Sequence, residues 1–184
     1  MSSGRKSFSI SADLSSLDRL LDQLGDEVEA ATRPAAQAAA QVLYDEVKRN
    51  VAGIGKVTGN LERSIYQAFS ASNSASGKAT YHVSWNHRKA PHGWLVENGH
   101  MQRYRSYQDN QGRVRTMVRP GMDGTLRPGR RASQAEKDAY YVPLPGGPRH
   151  VAARPFVRPA QASFPKALEA AEAELLKRIN GGKK

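Results

Sequence analysis

The chain has 184 residues, 39% of them hydrophobic and 7% aromatic, with 28 Lys and Arg against 17 Asp and Glu and a formal charge of +11. That length suffices for one domain with a buried core, or for one domain carrying an insertion. The charge excludes an acidic solvating protein and favours polyanionic or acidic partners, and the lack of cysteine excludes a disulfide scaffold and thiolate-based zinc or iron–sulfur sites.

The opening Met1 to Lys6 leads into no apolar stretch of signal-peptide length, and no window approaches the roughly 20 apolar residues of a membrane span. A soluble protein without a classical export signal is expected. Ser7-Phe8-Ser9-Ile10-Ser11 alternates like a short strand. Leucines 14, 17, 20, 21 and 24 then form one face of a short helix, capped by Asp13 or Ser15 and stopped by Gly25. A longer helix follows, from Asp26 or Pro34 to Asn50. Ala36, Ala39, Leu43 and Val47 face inward, and Gln37, Gln41, Asp45 and Lys48 face outward. Pro34 fits a first turn and would kink an interior.

Gly53, Gly55 and Thr58-Gly59-Asn60 mark a loop. Ile65–Phe69 and Ala79–Trp85 read as a hairpin-like strand pair across the polar stretch 70–77. His92 to Gly99 suits one or two helical turns closed by Asn98-Gly99. The next stretch, 101–150, differs in kind, with six Gly, five Pro and ten Lys or Arg. Arg103, Arg105, Arg113, Arg115 and Arg119 predict a long basic hairpin. Gly121–Lys137, with Arg127, Arg130 and Arg131, predicts a flexible loop. Tyr140–Leu144 returns as a strand or an extended arm. The last helix runs from Pro159 to Asn180, with an apolar stripe of Phe164, Leu168, Ala171, Leu175 and Ile179.

The candidate chemistry is thin. Histidines 82, 87, 92, 100 and 150 match no compact metal-binding spacing. Gly53-Ile54-Gly55-Lys56 lacks the Gly-Lys-Ser/Thr ending of a phosphate-binding loop, and there is no nucleophile elbow. Nothing fixes Glu97 near Asp45 or Glu46 as an acid–base pair. No catalytic residue, metal or cofactor is therefore assigned. The arginines are the strongest signal, because guanidinium pairs bidentately with phosphate and carboxylate. Tyr104, Tyr107, Tyr140 and Tyr141 lie beside them and suit stacking on exposed bases. An arm wrapping an acidic neighbouring subunit explains the same residues, and protein contact is favoured over nucleic acid.

Three stretches, in order, carry a resemblance. They are Val57-Thr58-Gly59-Asn60-Leu61-Glu62-Arg63-Ser64-Ile65, Gly93-Trp94-Leu95-Val96-Glu97-Asn98-Gly99, and Ala153-Arg154-Pro155-Phe156-Val157-Arg158-Pro159-Ala160. Together they resemble the tailed-phage neck and tail-completion family, the head–tail joining or minor tail components, over about residues 14–100 and 150–180. Gly99-His100 departs from the Gly-Thr with which the family usually closes the middle motif, and 101–150 is longer than a simple connection.

The resemblance implies an α+β fold. N-terminal helices and a C-terminal helix pack on a small, mostly antiparallel sheet, and 101–150 is a basic insertion or arm within a single domain, 1–184. It implies a structural virion protein, not an enzyme, made in the host cytoplasm. It implies a ring, a homo-oligomer and most simply a hexamer, joining the head connector to the tail tube beside stopper, tail-terminator or tail-tube proteins. Thr58, Gly59, Asn60, Arg63, Trp94, Glu97, Arg154, Phe156 and Arg158 become interface candidates, with Arg154 and Arg158 set to pair with Glu97 or a neighbouring subunit. Thr58 or Asn60 is expected to cap a brief helix carrying Arg63. The alternative is a general nucleic-acid-binding protein using the Arg-rich arm, possible contact with channel DNA being common to both.

Overall fold

The computed structural model describes residues 26–55 and 58–181. The predicted strand at 7–11 and the short leucine helix before Gly25 lie outside the described residues. The elements in chain order are α1 (Asp26–Gly53), α2 (Asn60–Ser64), β1 (Ile65–Phe69), β2 (Tyr81–Trp85), α3 (Gly93–Asn98), β3 (His100–Gln102), β4 (Ser106–Gln108), β5 (Val114–Thr116), α4 (Gln134–Tyr140), β6 (Arg149–Val151) and α5 (Phe164–Gly181). The fold is α+β, with three separate two-stranded antiparallel ladders. The chain divides into two compact units, one running to Gly93 and resuming at Pro155, the other Trp94–Arg154. Among the described residues no helix is long and apolar enough to cross a membrane.

In the first unit, α1 starts at Asp26, the earlier of the two expected starts, holds Pro34 inside it and runs three residues past the expected end at Asn50. The alanine run around the proline keeps helix propensity high enough to carry it. Ala36, Ala39, Leu43 and Val47 are all buried, as the pattern requires. The helix packs along α5, antiparallel. Near its end Asn50 donates to the Phe156 carbonyl, 3.0 Å away and just ahead of α5, while Pro34 and Gln37 line a shallow groove with Glu174 and Arg178 near the end of α5. The α5 seam corrects the predicted stripe. Ala167, Ala171 and Leu175 are buried, whereas Phe164 and Leu168 stand 37% and 44% exposed. Small residues on both helices set this line, since alanine facing alanine lets the backbones approach closely. A 3₁₀ turn, Arg158–Ser163, occupies the predicted first turn of that helix.

β1 and β2 pair in the register Ile65↔Trp85 to Phe69↔Tyr81, burying Ile65, Tyr81, Val83 and Trp85. The Trp85 ring meets Phe156 edge-on at 5.3 Å. The indole also lies over Gly93 so closely that no Cβ fits there. Burial of such rings adds to that of the aliphatic side chains in stabilising this unit.

The second unit has another construction. β3 pairs with β6, His100↔Val151 to Gln102↔Arg149, and β4 with β5, Ser106↔Thr116 to Gln108↔Val114. Between them three segments close a cycle of backbone hydrogen bonds. Arg105 N–H donates to Val142 O (2.9 Å), Val142 N–H to Met117 O (3.0 Å), and Met117 N–H to Arg105 O (2.9 Å). The predicted long hairpin thus shrinks to two three-residue strands, and of the expected strand Tyr140–Leu144 only Tyr141 and Pro143 form isolated bridges, Tyr140 being the last residue of α4. The predicted flexible loop Gly121–Lys137 is corrected too, because it contains the first half of α4. Ser133 and Glu136 close a capping box there: Ser133 Oγ accepts from Glu136 N–H, and the Glu136 carboxylate accepts from Ser133 N–H. That reciprocal bonding is what Ser-x-x-Glu encodes.

Candidate assembly interface

The first motif folds into a self-contained turn. Gly59 takes φ 68° and is the N-cap of α2, and the hydroxyl of Thr58 before it accepts a long bond from the Asn60 N–H, 3.4 Å away, so Thr58 of the two expected residues serves the helix start. Glycine suits this position because a left-handed residue carries no Cβ penalty there. Arg63 folds back, its Nη2 donating to Thr58 O and to Asn60 Oδ1, each at 2.8 Å. The turn therefore ties down the guanidinium of Arg63, which stays exposed.

The middle motif lies in the second unit from Trp94 on. Trp94 is 47% exposed and Leu95 38%, while Glu97 on the same short helix is buried. Asn98 Nδ2 donates to Trp94 O at 3.0 Å. Gly99, at φ 70°, lies against the returning chain, and a Cβ there would stand 2.7 Å from Val151 O. Arg154 N–H donates to Val96 O at 2.8 Å, closing the base of the unit. The last motif crosses the boundary. Arg154 is exposed in the second unit, while Phe156 is fully buried and Arg158 exposed in the first. Phe156 is thus an anchor of the scaffold rather than a contact.

The basic residues sort into committed and uncommitted groups. Asp109 accepts from Arg113 Nε (2.8 Å) and Arg115 Nε (3.2 Å). The Arg113 backbone N–H and then these guanidinium groups hold its carboxyl far below the usual range. Arg119 Nε donates to the Asp138 and Tyr141 carbonyls, and Arg127 Nε to the Tyr141 hydroxyl. Arg105, Arg130 and Arg131 are exposed, and their guanidinium groups bond to no described residue. Arg103 is exposed beside Tyr104 and Asp138.

The tyrosines sort likewise. Tyr104 donates to Asp138 Oδ1 and accepts from Gln134 Nε2, both at 2.7 Å. Partial burial and then Asp138 raise its hydroxyl pKa, and the same bond lowers that of Asp138. Tyr141 is buried, with its ring 5.1 Å from Tyr104 and 4.8 Å from Tyr140. Tyr107 alone of the four is exposed, at 49%. Among the described residues no cluster of three His, Asp or Glu gathers to hold a metal ion.

Residues 15–99 match a family model described as "Bacteriophage HK97-gp10, putative tail-component". Over that stretch, a little under half of its length, the chain is similar to the HK97-gp10-like family. Neither a curated protein nor a solved structure gives a significant match. The tail-component family accounts for α1, α2, β1, β2 and α3, and its match stops at Gly99, one residue before β3. The match supports a structural role in a phage particle. Sequence reading missed the Gln134–Tyr104–Asp138 network and the backbone cycle at Arg105. The only visible trace of the first was the Ser133–Glu136 capping signature upstream of Asp138.

Proposed function

We propose that the protein forms a homo-oligomeric ring, a hexamer, at the head–tail interface of a long-tailed phage. There it joins the head connector to the tail tube, stacked on stopper and tail-terminator or tail-tube proteins after assembly in the host cytoplasm. The observation that carries this reading is the match of residues 15–99 to a phage tail component. The order of the three motifs supports it, and so do exposed aromatic and apolar side chains such as Trp94, Leu95 and Tyr107, of a kind that interfaces use. The mechanism is docking. The buried Trp85–Phe156 core fixes the scaffold, and Thr58–Arg63, Trp94, Arg154 and Arg158 are offered as contact groups on it, with Glu97 supporting Trp94 from the buried side of α3. Averaged electron-microscopy images of the particle neck test this. A ring of this protein between connector and tube is the expected result, and its absence from neck and tail would overturn the reading.

One observation favours a second reading. Arg105, Arg130 and Arg131 are uncommitted and Tyr107 is exposed, the donor set of a sequence-independent nucleic-acid contact. Duplex binding that falls steeply between 50 and 200 mM salt, on the order of a hundredfold or more, would support it.

A further inference from the structure

Two exposed surfaces of opposite character stand on the two units. The first is on α5. At 3.6 residues per turn, Leu168, Glu172, Leu176 and Ile179 fall in one stripe with Glu169 beside it. Leu168 and Leu176 are 44% and 58% exposed, and Glu169 and Glu172 are exposed and pair with no described residue. Lys166 and Lys177 lie on another side of the helix, and Arg178 is bound to Glu174 at 2.7 Å. This stripe is apolar and acidic.

The second surface is the β4–β5 hairpin. Every residue of both strands is exposed, Tyr107 and Val114 at 49% and 65%. A two-stranded hairpin exposed on both faces is marginal in water and gains from a covering surface. Tyr107 pairs with Arg115 in the register, and Arg105 lies two residues before Tyr107, so strand alternation puts all three on one face. Asp109 offsets one of Arg113 and Arg115, and the Arg105 guanidinium has no partner among the described residues. This face is aromatic and basic.

We infer that the Arg105–Tyr107–Arg115 face of one copy docks on the Leu168–Glu172–Leu176 stripe of the next copy. The inference rests on the assembly reading above and names the two surfaces it uses. Charge complementarity selects the pair, since the hairpin face is net positive and the stripe carries two carboxylates. Spacing agrees: two residues of strand advance about 6.6 Å and four of helix about 6 Å. Arg105 over Glu172 therefore brings Tyr107 over Leu168 or Leu176. Because the two surfaces differ, the contact is head-to-tail and propagates around a ring instead of ending at a dimer.

Two charge-reversed full-length variants test it by sedimentation velocity: Arg105→Glu with Arg115→Glu, and Glu169→Lys with Glu172→Lys. Each alone should associate at least about tenfold more weakly than the wild type, as like charges now face each other. An equimolar mixture should recover the wild-type assembly, because every junction is again complementary. Assembly unchanged in both variants overturns the proposal while leaving the ring reading intact. The same result with duplex DNA binding lost in the arginine variant gives the hairpin to DNA instead. A wild type that stays monomeric at every concentration overturns the ring reading and this inference with it. Should circular dichroism find either reversal unfolded, Tyr107→Ser and Leu176→Ser decide, since neither side chain makes a hydrogen bond to a described residue. Weaker assembly in both supports the docking, and unchanged assembly overturns it.

Discussion

Trp85 is buried in the first unit and Tyr141 in the second, and they are held by different physics. With Trp85 the first unit buries Leu43, Val47, Val83, Phe156 and Val157, all essentially without exposure. Around Tyr141 there is no comparable gathering, for it is the single buried apolar side chain of the second unit among the described residues. That unit stands on backbone bonds, a capping box and bonds from arginine and tyrosine side chains. Area removed from water stabilises the first. Satisfied polar groups, each worth only about 1 kcal/mol net, define the second. The matched family stretch falls almost wholly in the first, where a few rings specify the packing. The second is free to carry charge because it has little apolar interior to protect.

The comparison can be broken most severely at Trp85. Trp85→Ala leaves a large cavity against Phe156 and should cost about 3–5 kcal/mol, read as a lower urea midpoint. If the amides of Arg105, Met117 and Val142 lose hydrogen-exchange protection equally in that variant, the units are one cooperative structure and the contrast fails. Gly99→Ala attacks the other side. It places a Cβ 2.7 Å from Val151 O at a left-handed φ, so about 1–3 kcal/mol of strain should appear as faster proteolysis within 100–150. β1 amides should keep their protection.

Ser133→Ala should cost about 1 kcal/mol, localised to α4, because Glu136 N–H loses its acceptor. Protection lost beyond 133–141 would mean that this helix holds more of the unit than its cap. The smallest effect concerns pH. Asp109, Glu136 and Asp138 all titrate below their ordinary values, held down respectively by the Arg113 N–H, the Ser133 hydroxyl and the Tyr104 hydroxyl. A depressed folded pKa gives stability that is complete above the unfolded value and lost as pH falls through the folded one. The second unit should therefore loosen below about pH 4 before the first. Glu136 and Asp138 are solvent-exposed and Asp109 is only half-buried, so the change is modest and best followed by NMR of the Arg113 and Tyr141 amides. A first unit that loosens at the higher pH would contradict this ordering.

The inward face of α1, the β1–β2 pair and the short helix before Gly99 were legible in sequence, because periods of 3.6 and 2 report burial directly. Thr58-Gly59-Asn60 was legible as a turn but not as the acceptor of Arg63. That bond runs backward over five residues and has no periodic trace. Leu168 misled for a related reason: an apolar stripe marks burial only when its partner needs bulk, and α1 offers alanine. The basic stretch resisted reading altogether. Its order comes from main-chain bonds between residues 105, 117 and 142, which any residue but proline would allow.

That three-way tie has a consequence for how the protein can change. Three strands are pinned at one point, each by a donor and an acceptor, so none can slip register alone. The stretches between the pins, 106–116 and 118–141, hang from it as separate loops. Either can gain or lose residues, or exchange its tip chemistry, without loosening the knot. It is the layout of an adapter whose fitting can be recut for a new neighbour while its mount stays the same.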